Sequence, residues 1–81
     1  MITSEQLRAS RALLGWTAQA LADASGVGVA TIRRYELKNG VPGGTVDRLR
    51  RLQVALEQAG IEFTGNPEVN PGVVLHLKPS E

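Results

Sequence analysis

The chain has no cysteine, one histidine, and a single tryptophan, tyrosine, phenylalanine and methionine among its 81 residues. Without cysteine, neither a disulfide nor a thiolate metal site can supplement a small core. One histidine, with carboxylates scattered along helix surfaces, leaves no metal-ligand cluster and no paired acid and base, so no cofactor is implied and an enzyme is not expected. His76 reads as a strand-face residue and not as a metal ligand. Trp16 and Tyr35 stand at helical spacing beside core positions, which makes them packing residues, and too few aromatics remain for a platform that stacks single-stranded bases. No apolar run approaches the roughly 18 residues of a membrane span, and the polar opening from Ile2 to Arg8 lacks the basic-then-apolar order of a signal peptide. The expectation is a single soluble, cytoplasmic domain that relies on well-packed helices or on a partner subunit.

What the chain does have is a stretch from Thr17 to Leu37 that reads as two short helices with Gly26 at the corner between them. Thr17 can cap the first through its hydroxyl, and Trp16 and Leu21 are spaced as a hydrophobic staple. Gly28 stands at the second start, bracketed by Val27 and Ile32 at the same spacing. Helices this short do not persist alone, because nucleation is costly below roughly 12 to 15 residues. They must be held by the rest of the chain, and a tight, glycine-containing turn between two such helices is the arrangement that presents the second helix to the major groove of DNA.

The first helix is expected from about Ser4 to Leu14. Thr3 and Gln6 form a capping box, Ile2 and Leu7 a third staple, Leu7, Ala9, Ala12 and Leu14 one apolar side, and Gly15 the left-handed stop. Arg11 interrupts that helix near its buried side. A partly buried arginine needs a carboxylate, and Glu36, late in the second helix of the pair, supplies one, so a structural ion pair between Arg11 and Glu36 is expected. The segment from Lys38 to Gly44 holds three glycines and a proline and is a loop. Thr45 then caps a long helix in which Val46, Leu49, Leu52 or Gln53, and Leu56 follow the 3.6-residue period and Gly60 closes the element. Arg48 and Arg51 face away from that stripe, toward solvent or toward phosphate.

The last twenty residues change period. Ile61-Glu62-Phe63-Thr64 alternates, a turn-rich segment follows, and Val73 to Leu77 is a short apolar run, so a β-hairpin is expected. A lone hairpin is marginal in water, and an open apolar edge invites pairing. It packs either on the helical body or on its copy in a second subunit. The second is preferred here, with Ile61, Phe63, Val73, Val74, Leu75 and Leu77 as dimerisation residues. The organisation is thus a mainly α, four-helix unit over residues 1–60 and a hairpin over 61–81.

Net charge is only +1, but its distribution is uneven. From Val29 to Arg51 there are six basic residues against two acidic, while the rest of the chain has three against six. A charge run is usually a solvated face. This one falls on the second helix of the pair and the helix after the next loop, where a phosphate backbone would lie.

Arg11, the Leu-Gly-Trp-Thr corner at Leu14 to Thr17, Leu21-Ala22, Gly26-Val27, Ile32, Glu36 and Pro42 together resemble the Cro and lambda-repressor class of helix-turn-helix proteins, the xenobiotic-response-element family, over about residues 3–60. The resemblance implies base contacts from Val29, Ala30, Arg33 and Arg34, and phosphate contacts from Thr17, Gln19, Thr31, Lys38, Asn39 and Arg48. It implies a homodimeric regulator of transcription, a repressor in the usual case, that reads an inverted repeat in double-stranded DNA. Three positions depart from the family pattern: Ala18 replaces a phosphate-binding glutamine, Gly28 a serine or threonine cap, and Lys38 a glycine. Two other readings are an antitoxin whose terminal segment masks a toxin, and a helical protein-interaction module without DNA binding, for which Ala18 and the small net charge speak.

Overall fold

In a computed structural model the described residues are 1–44 and 46–77. Their order is α1 (Ser4–Leu14), α2 (Ala18–Ser25), α3 (Val29–Glu36), α4 (Val46–Gln58), β1 (Ile61–Thr64) and β2 (Gly72–Leu75). The chain is therefore mainly α, four helices followed by a two-stranded antiparallel hairpin. Thr45, expected to cap α4, lies outside the described residues. Among those residues no helix is long and apolar enough to cross a membrane.

Each short helix starts where its local signals place it. Thr3 and Gln6 form a full capping box, the Thr3 hydroxyl accepting from Gln6 N–H at 3.0 Å and the Gln6 Oε1 accepting from Thr3 N–H at 2.9 Å. Thr17 caps α2 by accepting from Ala20 N–H at 3.0 Å. Gly15 and Gly26 end α1 and α2 in the left-handed region, at φ of 66° and 74°, where a side chain would be strained. The three staple pairs do double duty: Ile2, Leu7, Leu21, Val27 and Ile32 are all buried in the common core, and Trp16 packs against it. Helix starts and core assembly are thus specified by the same apolar residues.

Leu49, Leu52, Ala55 and Leu56 of α4, with Ala22, Tyr35 and Ile61, complete that core. The buried sides of α1 and α4 differ in part from expectation. Ala9 and Ala12 are exposed, and α1 instead buries Ser4, Gln6, Leu7 and Ser10. Val46 is 59% exposed, with Ala55 taking the apolar position that completes the buried side of α4. In both helices the hydrophobic period identified the axis of the stripe but not its width. On α1, Ser4 and Gln6 are buried with partners in distant segments, and the buried Ser10 hydroxyl has no hydrogen-bond partner among the described residues.

The hairpin pairs Ile61 with Leu75, Glu62 with Val74, Phe63 with Val73 and Thr64 with Gly72. Ile61 is buried, and Phe63, Val73 and Leu75 pack on the helical core. These four, expected at a subunit interface, are committed to the chain's own body, which relieves a two-stranded sheet of its marginal stability. Val74 and Leu77 remain outward, at 43% and 83% exposure. Gln6 fastens the sheet further, its Nε2 donating to Gly72 O at 2.9 Å and Thr64 O at 3.3 Å.

Candidate nucleic-acid interface

α3 has one side in the core and one in solvent. Ile32 and Tyr35 are buried, at 0% and 2% exposure, whereas Ala30, Arg33, Arg34 and Leu37 are exposed. Those four positions are spaced i, i+3, i+4 and i+7, a single stripe along the helix. Val29, expected among the base-contacting residues, is half-buried and packs against the core, so the outward face belongs to Ala30 and the two arginines.

An eight-residue helix can present such a face only if its ends are fixed, and α1 fixes the C-terminal one. Arg11 Nε donates to Glu36 Oε2 and Nη2 to Oε1, both at 2.8 Å, while Nη1 donates to Trp16 O at 2.8 Å. One guanidinium therefore ties α1, the α1–α2 corner and α3 together. The hydrogen bonds to Glu36 hold Arg11 above its ordinary pKa despite partial burial, so its guanidinium stays charged in this setting.

The missing glycine at Lys38 has a structural answer. α3 ends at Leu37 in a right-handed conformation, φ −76° and ψ −12°. Leu37 N–H closes on Arg33 O and Lys38 N–H on Tyr35 O, while Glu36 O and Lys38 O have to find donors outside the helix. Arg8 supplies them, Nη1 donating to Glu36 O and, at 3.0 Å, to Lys38 O. Ser4 Oγ donates to Tyr35 O at 2.7 Å. The following loop is clamped from the same side: Ser4 N–H donates to Gly40 O at 2.8 Å and Gly40 N–H to Glu5 Oε1 at 2.9 Å. Those amide bonds, its own first and that of Gly40 second, hold the Glu5 carboxyl below its ordinary 4.5. Arg8, Ser4 and Glu5 were not legible as site residues, because their partners are backbone atoms about 30 residues away. The only signal was negative, a helix lacking the family's usual glycine stop at Lys38.

The residues implied for phosphate surround this face without forming one cluster. Thr17 is exposed at the start of α2, with its hydroxyl engaged as a cap. Gln19 is exposed and donates to Asp23 Oδ1 at 3.0 Å, while Ala18, at the family's glutamine position, packs against the core. Thr31 Oγ1 lies 3.5 Å from Arg34 Nη2. Lys38 and Asn39 are exposed beyond the end of α3. Arg48 lies at an open cleft of about 480 Å³ formed by the α2–α3 turn (Gly26 to Gly28), Thr31 and the first turns of α4. Arg51, left between solvent and phosphate by the sequence, lines the same cleft and is oriented by Asp47 at 3.0 Å. At Gly28 no side chain caps α3, and the start of that helix borders a cleft lined by Arg48, Arg51 and the Asp47 carboxylate.

Residues 7–56, from within α1 to near the end of α4, match the helix-turn-helix family model HTH_3, which covers well over half of the chain and leaves the hairpin outside. No curated protein matches the chain. The match spans α2, the Gly26 turn and α3, the elements whose packing and end contacts are described above. This chain belongs to the Cro and lambda-repressor-like helix-turn-helix family of DNA-binding regulators.

Proposed function

We propose that the protein is a sequence-specific regulator of transcription, a repressor, that binds an inverted repeat in double-stranded DNA as a homodimer. The observation that carries this reading is the α3 face: two exposed arginines without an ion-pair partner among the described residues, beside a small apolar side chain, on a helix fastened at its end by Arg8 and Arg11. Arg33 and Arg34 each offer a fork suited to guanine N7 and O6, and Ala30 can pack on a thymine methyl. Thr17, Thr31, Arg48 and Arg51 supply phosphate contacts on the flanks, with Lys38 and Asn39 at the far end of α3. Gln19 joins them by exchanging its bond to Asp23. In a symmetric dimer the two α3 helices would enter successive major grooves about 34 Å apart.

The reading is tested by titrating the full chain against duplex DNA from its own promoter, and against a scrambled duplex, at several salt concentrations. Specific binding should exceed scrambled binding by at least about a thousandfold, and log affinity should fall linearly with log salt as counterions are released. Equal, weak binding to both duplexes would favour the second reading, a helical interaction module, for which the inward packing of Ala18 is the supporting observation.

A further inference from the structure

The flank of α4 turned away from the cleft is uncovered. Met1, Val46 and Val54 are 53%, 59% and 42% exposed, and with Arg50, Gln53 and Glu57 they line an open groove of about 360 Å³ along the helix. Arg48 and Glu57 are nine residues apart, two and a half helical turns, so this groove and Arg48 lie on opposite flanks of α4, with Arg51 on the cleft side between them. Both can be occupied together.

The groove carries its own complement. Arg50 precedes Val54 by one turn and Glu57 follows it by nearly one, and their seven-residue separation, roughly 10 Å of helix rise, is too long for them to pair within one helix. Among the described residues neither has an intrachain ion-pair partner, because Asp47 is taken by Arg51. A two-fold interface brings residue i against j and j against i. A patch with a base at one end, an acid at the other and an apolar residue between satisfies that requirement with a copy of itself. The hairpin's outer face does not: its polar side chains Glu62 and His76 already meet at 2.6 Å, and its inner face packs on the core.

We infer that a second copy of this chain docks along α4, the two helices antiparallel, with Arg50 facing Glu57 of the partner subunit twice and the two Val54 side chains adjacent at the two-fold axis. This rests on the homodimer proposed above and names its surface. Rim charges at an interface act on specificity, and like charges placed opposite each other are strongly disfavoured. The ion pairs should therefore be readable by charge reversal.

The full chain is examined by sedimentation velocity as wild type, Arg50→Glu, Glu57→Arg and the double reversal. All carry exposed substitutions, and circular dichroism verifies their folds. Each single reversal should weaken dimerisation about tenfold or more, and the double reversal should restore it. Because the chain is cysteine-free, Val54→Cys and Val74→Cys, at nearly equal exposure, provide a second readout with a short bis-maleimide. The first should cross-link into a dimer and the second should not. A dimer indifferent to both single reversals, or one cross-linked through position 74 alone, would overturn the α4 surface while leaving the homodimer standing. A wild-type chain that stays monomeric at the concentrations where it binds promoter DNA would remove the homodimer and this interface together, without touching recognition by α3.

Discussion

Arg11 and Glu36, 25 residues apart in the chain, meet in a two-pronged ion pair with both N–O distances at 2.8 Å. The side chains are 26% and 11% exposed, so the pair is neither a freely solvated surface contact nor a fully buried one. Its place at the end of α3 makes it a mounting for that helix. Arg11→Ala should cost about 2 kcal/mol of folding stability, between the values for exposed and buried pairs. Glu36→Ala should cost a similar amount. The double variant should lose clearly less than the two together, since either single change already removes the interaction. Urea denaturation of the four proteins gives the cycle.

Gln6 is both cap and anchor, accepting from Thr3 N–H and donating to Gly72 O and Thr64 O. A capping box tolerates glutamate as well as glutamine at this position, so a purely local role predicts that Gln6→Glu is harmless. Here a carboxylate would face two carbonyl oxygens, and the variant should lose about 2 kcal/mol at neutral pH. That environment raises the pKa of the introduced acid, so the penalty is present above it and is relieved as pH falls and the protonated acid can donate. Denaturant midpoints of variant and wild type, compared at pH 7 and in mild acid, should converge at the lower pH.

The Glu5 carboxylate accepts from Gly40 N–H and titrates below its ordinary 4.5. A group with a depressed folded pKa contributes stability that is complete above the unfolded value and is lost as pH falls through the folded one. Wild-type stability should therefore decline on acidification from about pH 5, and Glu5→Gln should be less stable at neutral pH but flatter below it. Thermal unfolding from pH 7 down to pH 3 checks the slope.

Gly28 starts α3 at φ −61° and ψ 143° with no side-chain cap, and a Cβ there would meet open space. Any residue can adopt that conformation, and a serine hydroxyl could accept from an amide of the first turn. Gly28→Ser should stabilise the fold by about 0.5–1 kcal/mol through the cap and through a less flexible unfolded chain. Differential scanning calorimetry would show the raised Tm.

The parts of this fold that were legible in advance are those specified by neighbours in sequence. Thr3, Thr17, Gly15 and Gly26 set helix ends through bonds that span three or four residues, and the three staple pairs repeat one spacing. The Arg11–Glu36 contact was readable despite its span because a charge on a buried side demands a counter-charge, and few candidates existed. What was not legible depends on where a distant backbone passes. The Ser4 bond to Tyr35 O, the Arg8 bonds to Glu36 O and Lys38 O, and the Gln6 bonds to the hairpin obey no local pattern, and they explain why α1 buries Ser4 and Gln6 while leaving Ala9 and Ala12 in water. The hairpin's apolar alternation identified two faces correctly but not which surface the apolar face would meet. For the candidate interface, Arg33 and Arg34 were implied by the family resemblance, whereas the half-burial of Val29 and the cleft position of Arg51 required the packing of α4.

Recognition by the exposed face of α3 is tested most directly by the affinity of Arg33→Ala/Arg34→Ala for promoter DNA, measured by fluorescence anisotropy beside wild type. Two lost guanine contacts should weaken specific binding by about a hundredfold or more, with helical content and folding stability unchanged. Affinity within about twofold of wild type, from a variant shown to be folded, would contradict a DNA-reading role for this helix.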